Sequence, residues 1–370
     1  MDRRNLLKGA GLLAAAGAAG PLAAQPGQTP RSDGRTGPRN LITDVAGLSV
    51  GIANDPAVRT GVTVILADRL STAAVDVRGG GPGTRETDAL DAYNLVHAVN
   101  AIVLSGGSSY GLAASDGVAA WLGAHGIGYG GMARKPGVPV SPIVSGAILY
   151  DLANGGNKDW GIDPPYRALG LKAVQAVGPD FALGTSGAGY GAMSGGLKGG
   201  LGSASTVTSE NYTVGAIVAV NSMGSTVAPD TRHFWASPYE VGNEFGGLPP
   251  QALFAGPEQW GYTRAPAERT NTTIACVATD VALTADEMKR VAIMAQDGMS
   301  RAIRPVHTPF DGDVVFAVST GRIEPKEPRE LATLRVGTVA ADTLARAIAR
   351  GVYEATSPPG ATVKTWKGLA

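Results

Sequence analysis

No strict strand–helix–strand rhythm runs through this sequence. Its β-branched runs arrive in pairs, singly, and between helical stripes of unequal length. That order argues against a parallel barrel and for stacked layers in which sheets and helices share cores. Gly61 to Ala67 and Ser71 to Val77 read as two short strands. Thr84 to Val99 has helical spacing, with Leu90, Tyr93, Leu95, Val96 and Val99 tending to one side. Ala101 to Leu104 reads as a strand, Leu112 to Leu122 as a helix, Val138 to Leu152 as extended chain and Tyr166 to Val177 as a helix. Three more strands are expected over Tyr212 to Asn221, Thr272 to Ala282 and Asp313 to Thr320. Thr284 to Ile303 reads as a helix opened by a capping box, Thr284-x-x-Glu287, with an apolar stripe through Met288, Val291, Ala295 and Met299. Ala340 to Tyr353 is the final helix. The 53 glycines and scarce aromatics suit elements that pack closely through tight turns.

Two segments resist this reading. Phe181 to Ser205 is a Gly/Ser/Ala tract whose single charge is Lys198, and its composition fits either a flexible linker or a close-packed loop lining a site. Ser222 to Thr270 is irregular, and so long an irregular stretch in a compact domain signals function or disorder. At the start of the chain, Arg3-Arg4 precede an apolar, small-residue run from Gly9 to Ala24. This is the pattern of a cleavable export signal of the twin-arginine type over residues 1–24. The run is short and weakly apolar for a membrane span, so no anchor is expected after signal removal. Residues 25–39 read as a flexible leader and 40–370 as one domain.

Acidic and basic residues balance at 31 each, which gives no reason to expect nucleic acid or an anionic membrane as partner. One cysteine, Cys276, excludes an intrachain disulfide, and four scattered histidines offer no pair at metal-ligand spacing. No metal or other cofactor is expected.

Two nucleophiles compete. Gly107-Ser108-Ser109-Tyr110-Gly111 matches G-x-S-x-G between a strand and a helix, the setting of a nucleophile elbow. A serine triad through Ser109 would need Asp297 and His307 as partners, with Gly79-Gly80-Gly81 as an oxyanion loop; the alternative is a glycine-rich turn chosen for close packing. Thr272 is the other candidate. An internal threonine hydroxyl is a poor nucleophile, but if the bond after Asn271 breaks, the α-amine of Thr272 becomes an adjacent base with a pKa of about 7.7–8.0. Asn271 tolerates a strained backbone. On residues alone, a plain buried strand at Thr272 remains open.

Family likeness decides between them. Arg78-Gly-Gly-Gly-Pro-Gly-Thr-Arg-Glu-Thr87 followed by Leu104-Ser-Gly-Gly-Ser-Ser-Tyr-Gly-Leu-Ala-Ala-Ser-Asp-Gly117 resembles the so-called P1 peptidases. These include bacterial D-aminopeptidases, β-aminopeptidases and endo-type hydrolases of nylon (6-aminohexanoate) oligomers. The resemblance, running from about Leu41 to the last helix, implies a four-layer αββα sandwich of the N-terminal-nucleophile hydrolase type with its own connectivity. It implies self-cleavage between Asn271 and Thr272 into residues 25–271 and 272–370, with Thr272 as nucleophile and Ser109 structural. It further implies an oxyanion-hole Asn221, a substrate-site Tyr150, an active-site Lys198 and a carboxylate pair, Asp311 and Asp313. The function so expected is hydrolysis of amide bonds in small peptides or ω-amino oligoamides, in the periplasm or outside the cell, by a homo-tetramer of processed units. An acyltransferase of the ornithine acetyltransferase type and a non-catalytic binding protein of the same fold are the alternatives.

Overall fold

The computed structural model describes residues 34–130, 137–249, 251–252, 256, 258–259 and 271–369. The expected export signal lies outside them. The strands, in chain order, are β1 (Leu48–Asp55), β2 (Thr60–Val77), β3 (Thr84–Arg85), β4 (Ala98–Ser105), β5 (Val144–Ile148), β6 (Met193–Ser194), β7 (Leu197–Lys198), β8 (Gly200–Val207), β9 (Thr213–Asn221), β10 (Thr272–Val281) and β11 (Val314–Ile323). The helices are α1 (Ala114–Ala124), α2 (Tyr166–Gln175), α3 (Ala285–Ala302) and α4 (Arg329–Tyr353).

The two strands expected between Gly61 and Val77 are one strand of 18 residues, and that length organises the molecule. The first half of β2 pairs antiparallel with β1, Leu48 opposite Ala67 and Asp55 opposite Thr60. Its second half pairs antiparallel with β11, Val314 opposite Val77. Between the halves, Asp68, Arg69 and Leu70 are exposed and the pairing to β4 shifts register. The sheet order runs β3-β5-β4-β2-β11-β10-β9-β8, with β1 added beside β2. One hydrogen-bonded sheet thus supplies two sheet layers, joined through β2.

Side-chain alternation assigns the cores. On β10, Ile274, Cys276 and Ala278 face the central core with Ile217 and Ala219 of β9, Phe316 of β11, and Val50 and Ile65 from the other layer. Ala275, Val277 and Val281 face the opposite way, onto α3 and α4. Val62 and Val64 of β2 meet α1 and α2 in a third core. Helix, sheet, sheet and helix therefore stack in four layers, as the family likeness implied. α3 carries its capping box, the Thr284 N–H donating to Glu287 Oε2 at 2.7 Å, a cap contributing about 1 kcal/mol. α4 begins at Arg329, earlier than its expected start, and lies flush on β8: a Cβ on Gly202 would sit 1.8 Å from the Ala347 carbonyl oxygen.

One further expectation fails. Thr84 to Val99 is no helix but β3, a short 3-10 turn at Asp88–Leu90 and the first residues of β4. Tyr93 and Leu95 stand in solvent, and of the expected stripe only Leu90 and Val99 are buried. At the start of the described residues, Arg35 exchanges backbone hydrogen bonds with Val207, and the Gly37 N–H donates to Ser205 Oγ at 3.2 Å. The Gly/Ser/Ala tract behaves as a close-packed loop, largely buried from Ser186 to Ser205.

Candidate functional site

Strand register assembles the site. β9 ends and β10 begins at one place, so Asn221 lies directly opposite Thr272 on the face toward the central core. β11 runs parallel to β10, Ile274 opposite Val314, and Asn271 bridges to Asp311 just ahead of it. Thr272, Asn221, Asp311 and Asp313, far apart in sequence, thereby meet at one end of three adjacent strands. All four are buried, Thr272 at 3% exposure.

The intact peptide link before Thr272 is held from two sides. The Thr272 hydroxyl donates to the carbonyl oxygen of Asn271. The Gly312 N–H donates to the same oxygen at 3.1 Å. Gly312 has no room for a side chain, because a Cβ there would sit 2.8 Å from Thr272 Oγ1 and 2.7 Å from the Gly81 carbonyl oxygen. The triple glycine Gly79–Gly81 packs on this turn: the Gly80 N–H donates to the Thr308 carbonyl at 3.2 Å and the Gly81 N–H to that of Asp311 at 2.8 Å. It serves the Asp-Gly-Asp turn, remote from its expected service to Ser109.

The turn His307 to Asp313 folds around its two carboxylates. Asp311 accepts from the Met223 N–H at 3.1 Å, the Thr308 N–H at 3.2 Å and the Thr308 hydroxyl at 2.6 Å. Despite three donors its carboxyl is pushed up to about 6, first by burial and then by the charge of Asp313. Asp313 accepts from the Thr273 N–H at 2.8 Å and, on its other oxygen, from the His307 N–H at 3.1 Å, with His307 Nδ1 at 2.9 Å. In the uncut chain neither carboxylate is hydrogen-bonded to the Thr272 hydroxyl; Asp313 reaches the next residue's N–H instead.

Asn221 has its amide oriented by the Gly/Ser/Ala tract. Its Oδ1 accepts from the Met193 N–H at 2.9 Å, and its Nδ2 donates to the Tyr150 carbonyl at 3.1 Å. Tyr150 enters the site here by its backbone, with its side chain half-buried. Lys198 is fully buried and donates to the carbonyls of Gly189, Ala192 and Gly199 at 3.0, 2.9 and 2.7 Å. Three carbonyls suit an ammonium, yet burial outweighs them and pulls the group down to about 7, the Asp151 carboxylate opposing. Its three hydrogen bonds brace the loop carrying Met193, one step behind Asn221, and none goes to Thr272.

The serine triad is not assembled. Ser109 is exposed, without a hydrogen-bond partner among the described residues. Asp297 is exposed on α3, while His307 is bonded to Asp313. Gly107 takes a left-handed φ of +87°, and a Cβ there would sit 2.0 Å from the Tyr166 ring, so the motif is a packing turn. Cys276 is buried in the central core, and burial pushes its thiol up to about 12, far from a reactive thiolate.

The residues that sequence reasoning did not place in this site are Met223, Thr308, Gly312 and, as partner of Asp313, His307. Thr308 left a signal: a threonine three residues ahead of Asp311 is a common turn-forming arrangement.

Comparison with known proteins agrees with this architecture. The model of peptidase family S58 matches residues 40–365. An uncharacterised aminopeptidase of Mycobacterium tuberculosis is 42% identical over 352 residues, covering 89% of this chain and 98% of the relative. The 6-aminohexanoate-oligomer endohydrolase of Paenarthrobacter ureafaciens is 31% identical over 297 residues, covering 78% of this chain and 77% of the relative. Among solved structures, the L-aminopeptidase D-Ala-esterase/amidase of Ochrobactrum anthropi, described as a variant of the Ntn hydrolase fold, superposes with a TM-score of 0.65 at 22% identity, over 89% of this chain and 90% of that one. A Burkholderia sp. β-aminopeptidase gives 0.66 at 22% identity, over 90% and 93%. Fold, family model and relatives converge on an amide-bond hydrolase, and the chain belongs to peptidase family S58.

Proposed function

We propose that this hydrolase cuts itself between Asn271 and Thr272 and then uses Thr272, as a new N-terminus, to hydrolyse amide bonds of small peptides or ω-amino oligoamides. The observation that carries the reading is the Asn271 carbonyl oxygen, shared by the Thr272 hydroxyl and the Gly312 N–H. A carbonyl polarised by a fixed N–H, with a hydroxyl against it, is prepared for attack.

In self-cleavage, Thr272 Oγ1 bonds to the Asn271 carbonyl carbon and the C–N bond breaks. The hydroxyl proton passes to the leaving nitrogen, which becomes the α-amine of Thr272. Water then hydrolyses the ester, leaving a carboxylate on Asn271 and a restored hydroxyl. In turnover, the freed amine takes the hydroxyl proton as Oγ1 attacks a substrate carbonyl. The substrate amine departs, and water releases the acyl group. Asn221 supports the developing oxyanion; Asp311 and Asp313 hold negative charge near the protonated amine. Lys198 and Tyr150 act through the loop and backbone that orient Asn221.

Intact-mass analysis of purified protein is expected to find a C-terminal chain beginning at Thr272, and Thr272→Ala to remain whole and inactive. A Thr272→Ala protein still cut at that bond would refute intramolecular attack. A panel of L-, D- and β-amino amides and a 6-aminohexanoate oligomer, with products weighed, identifies the substrate class, and an amine acceptor in the mixture distinguishes hydrolysis from acyl transfer. The Arg3-Arg4 signal segment supports export to the periplasm or beyond, tested by fractionation of cells carrying Arg3→Lys and Arg4→Lys. Assembly of processed units into a tetramer is tested by sedimentation.

A further inference from the structure

We infer that His307 is the positioning residue for Asp313, fixing the plane of that carboxylate beside the Thr272 amine. This rests on the reading of Thr272 as the nucleophile. His307 approaches one oxygen of Asp313 twice, with its backbone N–H at 3.1 Å and its ring Nδ1 at 2.9 Å. The other oxygen receives the N–H of Thr273, the residue after the nucleophile, at 2.8 Å. The carboxylate is thereby clamped from both ends, and one of its clamps belongs to the nucleophile's own strand.

Two further features separate this from an incidental contact. To aim ring and N–H at one oxygen, His307 adopts φ +55°, a left-handed geometry that few residues other than glycine take. Its other ring nitrogen, Nε2, is buried without a hydrogen-bond partner. Leaving a polar atom so disposed costs about 1–3 kcal/mol. A ring kept for packing alone would have been better as an apolar one. The only hydrogen bond of the imidazole within the described residues is the one to Asp313. Asp311, on the same turn, is served instead by Met223 and Thr308, so the two carboxylates have separate holders.

The test compares His307→Asn, His307→Gln and His307→Ala in the full chain, with Thr272→Ala alongside. Asparagine accepts left-handed backbone and carries an amide N–H near the position of Nδ1; glutamine sets that N–H one carbon too far; alanine removes it. The readouts are the rate of self-cleavage, and kcat and KM on alanine p-nitroanilides of both configurations and on a 6-aminohexanoate oligomer. Expected is a kcat for His307→Ala lower by about 10- to 100-fold with KM within about 2-fold, the scale of a misplacement of one ångström. His307→Asn is expected to recover most of that loss and His307→Gln little of it. Should His307→Ala fail to fold, the Asn and Gln variants carry the comparison. Wild-type kcat in folded His307→Ala, Asn no better than Gln, or a loss confined to KM would each overturn the assignment. If Thr272→Ala still turns over, the nucleophile reading itself falls, whatever the His307 variants do.

Discussion

At Asp311, burial and a neighbouring charge act in the same direction, and the consequence is measurable apart from any catalytic role. Its folded value, about 6, lies above the ordinary 3.8, so the folded chain holds this proton more tightly than the unfolded one. Stability contributed by the protonated carboxyl is present below the ordinary value and is lost as pH rises through about 6. Asp311→Asn removes that loss. In a Thr272→Ala background, which keeps the chain whole, urea titrations are expected to show the Asn variant gaining on its parent between pH 4 and pH 7, by up to roughly 3 kcal/mol, with no further gain above. A constant difference across that range would mean the carboxyl is not raised. Gly312 makes a steric prediction at the same scale. Gly312→Ala forces a methyl against Thr272 Oγ1, and self-cleavage is expected to slow by about 100-fold or more while the chain still folds. Processing at the wild-type rate would show that the hydroxyl attacks from another side. Of these residues, the sequence offered Thr272 as one of two nucleophiles, and family likeness chose it and added Asn221 and the two aspartates. Gly312 and His307 stayed hidden as partners because their importance lies in a backbone N–H, a missing Cβ and a left-handed turn, none of which has a periodicity.

Elements were more legible than contacts. β9 and β10 could be read because both of their faces are buried, which leaves continuous β-branched runs. β2 was split in two because exposed Asp68, Arg69 and Leu70 interrupt its run where it passes between layers. The segment Thr84 to Val99 misled because apolar spacing was taken for burial, whereas Tyr93 and Leu95 have nothing to pack on. Long-range pairing of charges between elements left no local trace either. Glu244, ahead of the proposed cleavage site, forms a bidentate pair with Arg346 of α4, at 2.5 and 2.9 Å, and both are nearly inaccessible. Arg346 also holds Ser205, Thr206 and Asn40. Removing one member of such a pair strands the other's charge. Glu244→Gln, which keeps the shape, is expected to lower unfolding free energy by about 3–5 kcal/mol in urea. A change below about 1 kcal/mol would rank the pair with surface bridges.

For the whole molecule, layering followed from the irregular mixing of strands and helices and the layer order from family likeness, while neither foretold the joining of both sheet layers through one long strand. Its position in that sheet has a consequence for timing. β10, which begins at Thr272, is an interior strand: β9, made earlier in the chain, lies on one side of it, and β11, made later, on the other. The carbonyl before Thr272 accepts a hydrogen bond from Gly312, on the far side of α3 in sequence. Neither half of the chain therefore contains the whole of this hydrogen-bonded arrangement. On the proposed reading, the break in the backbone is a record that the sheet has already closed. Copies that never closed it remain single-chain and inert, sorted from working enzyme by their own geometry with no second protein to inspect them.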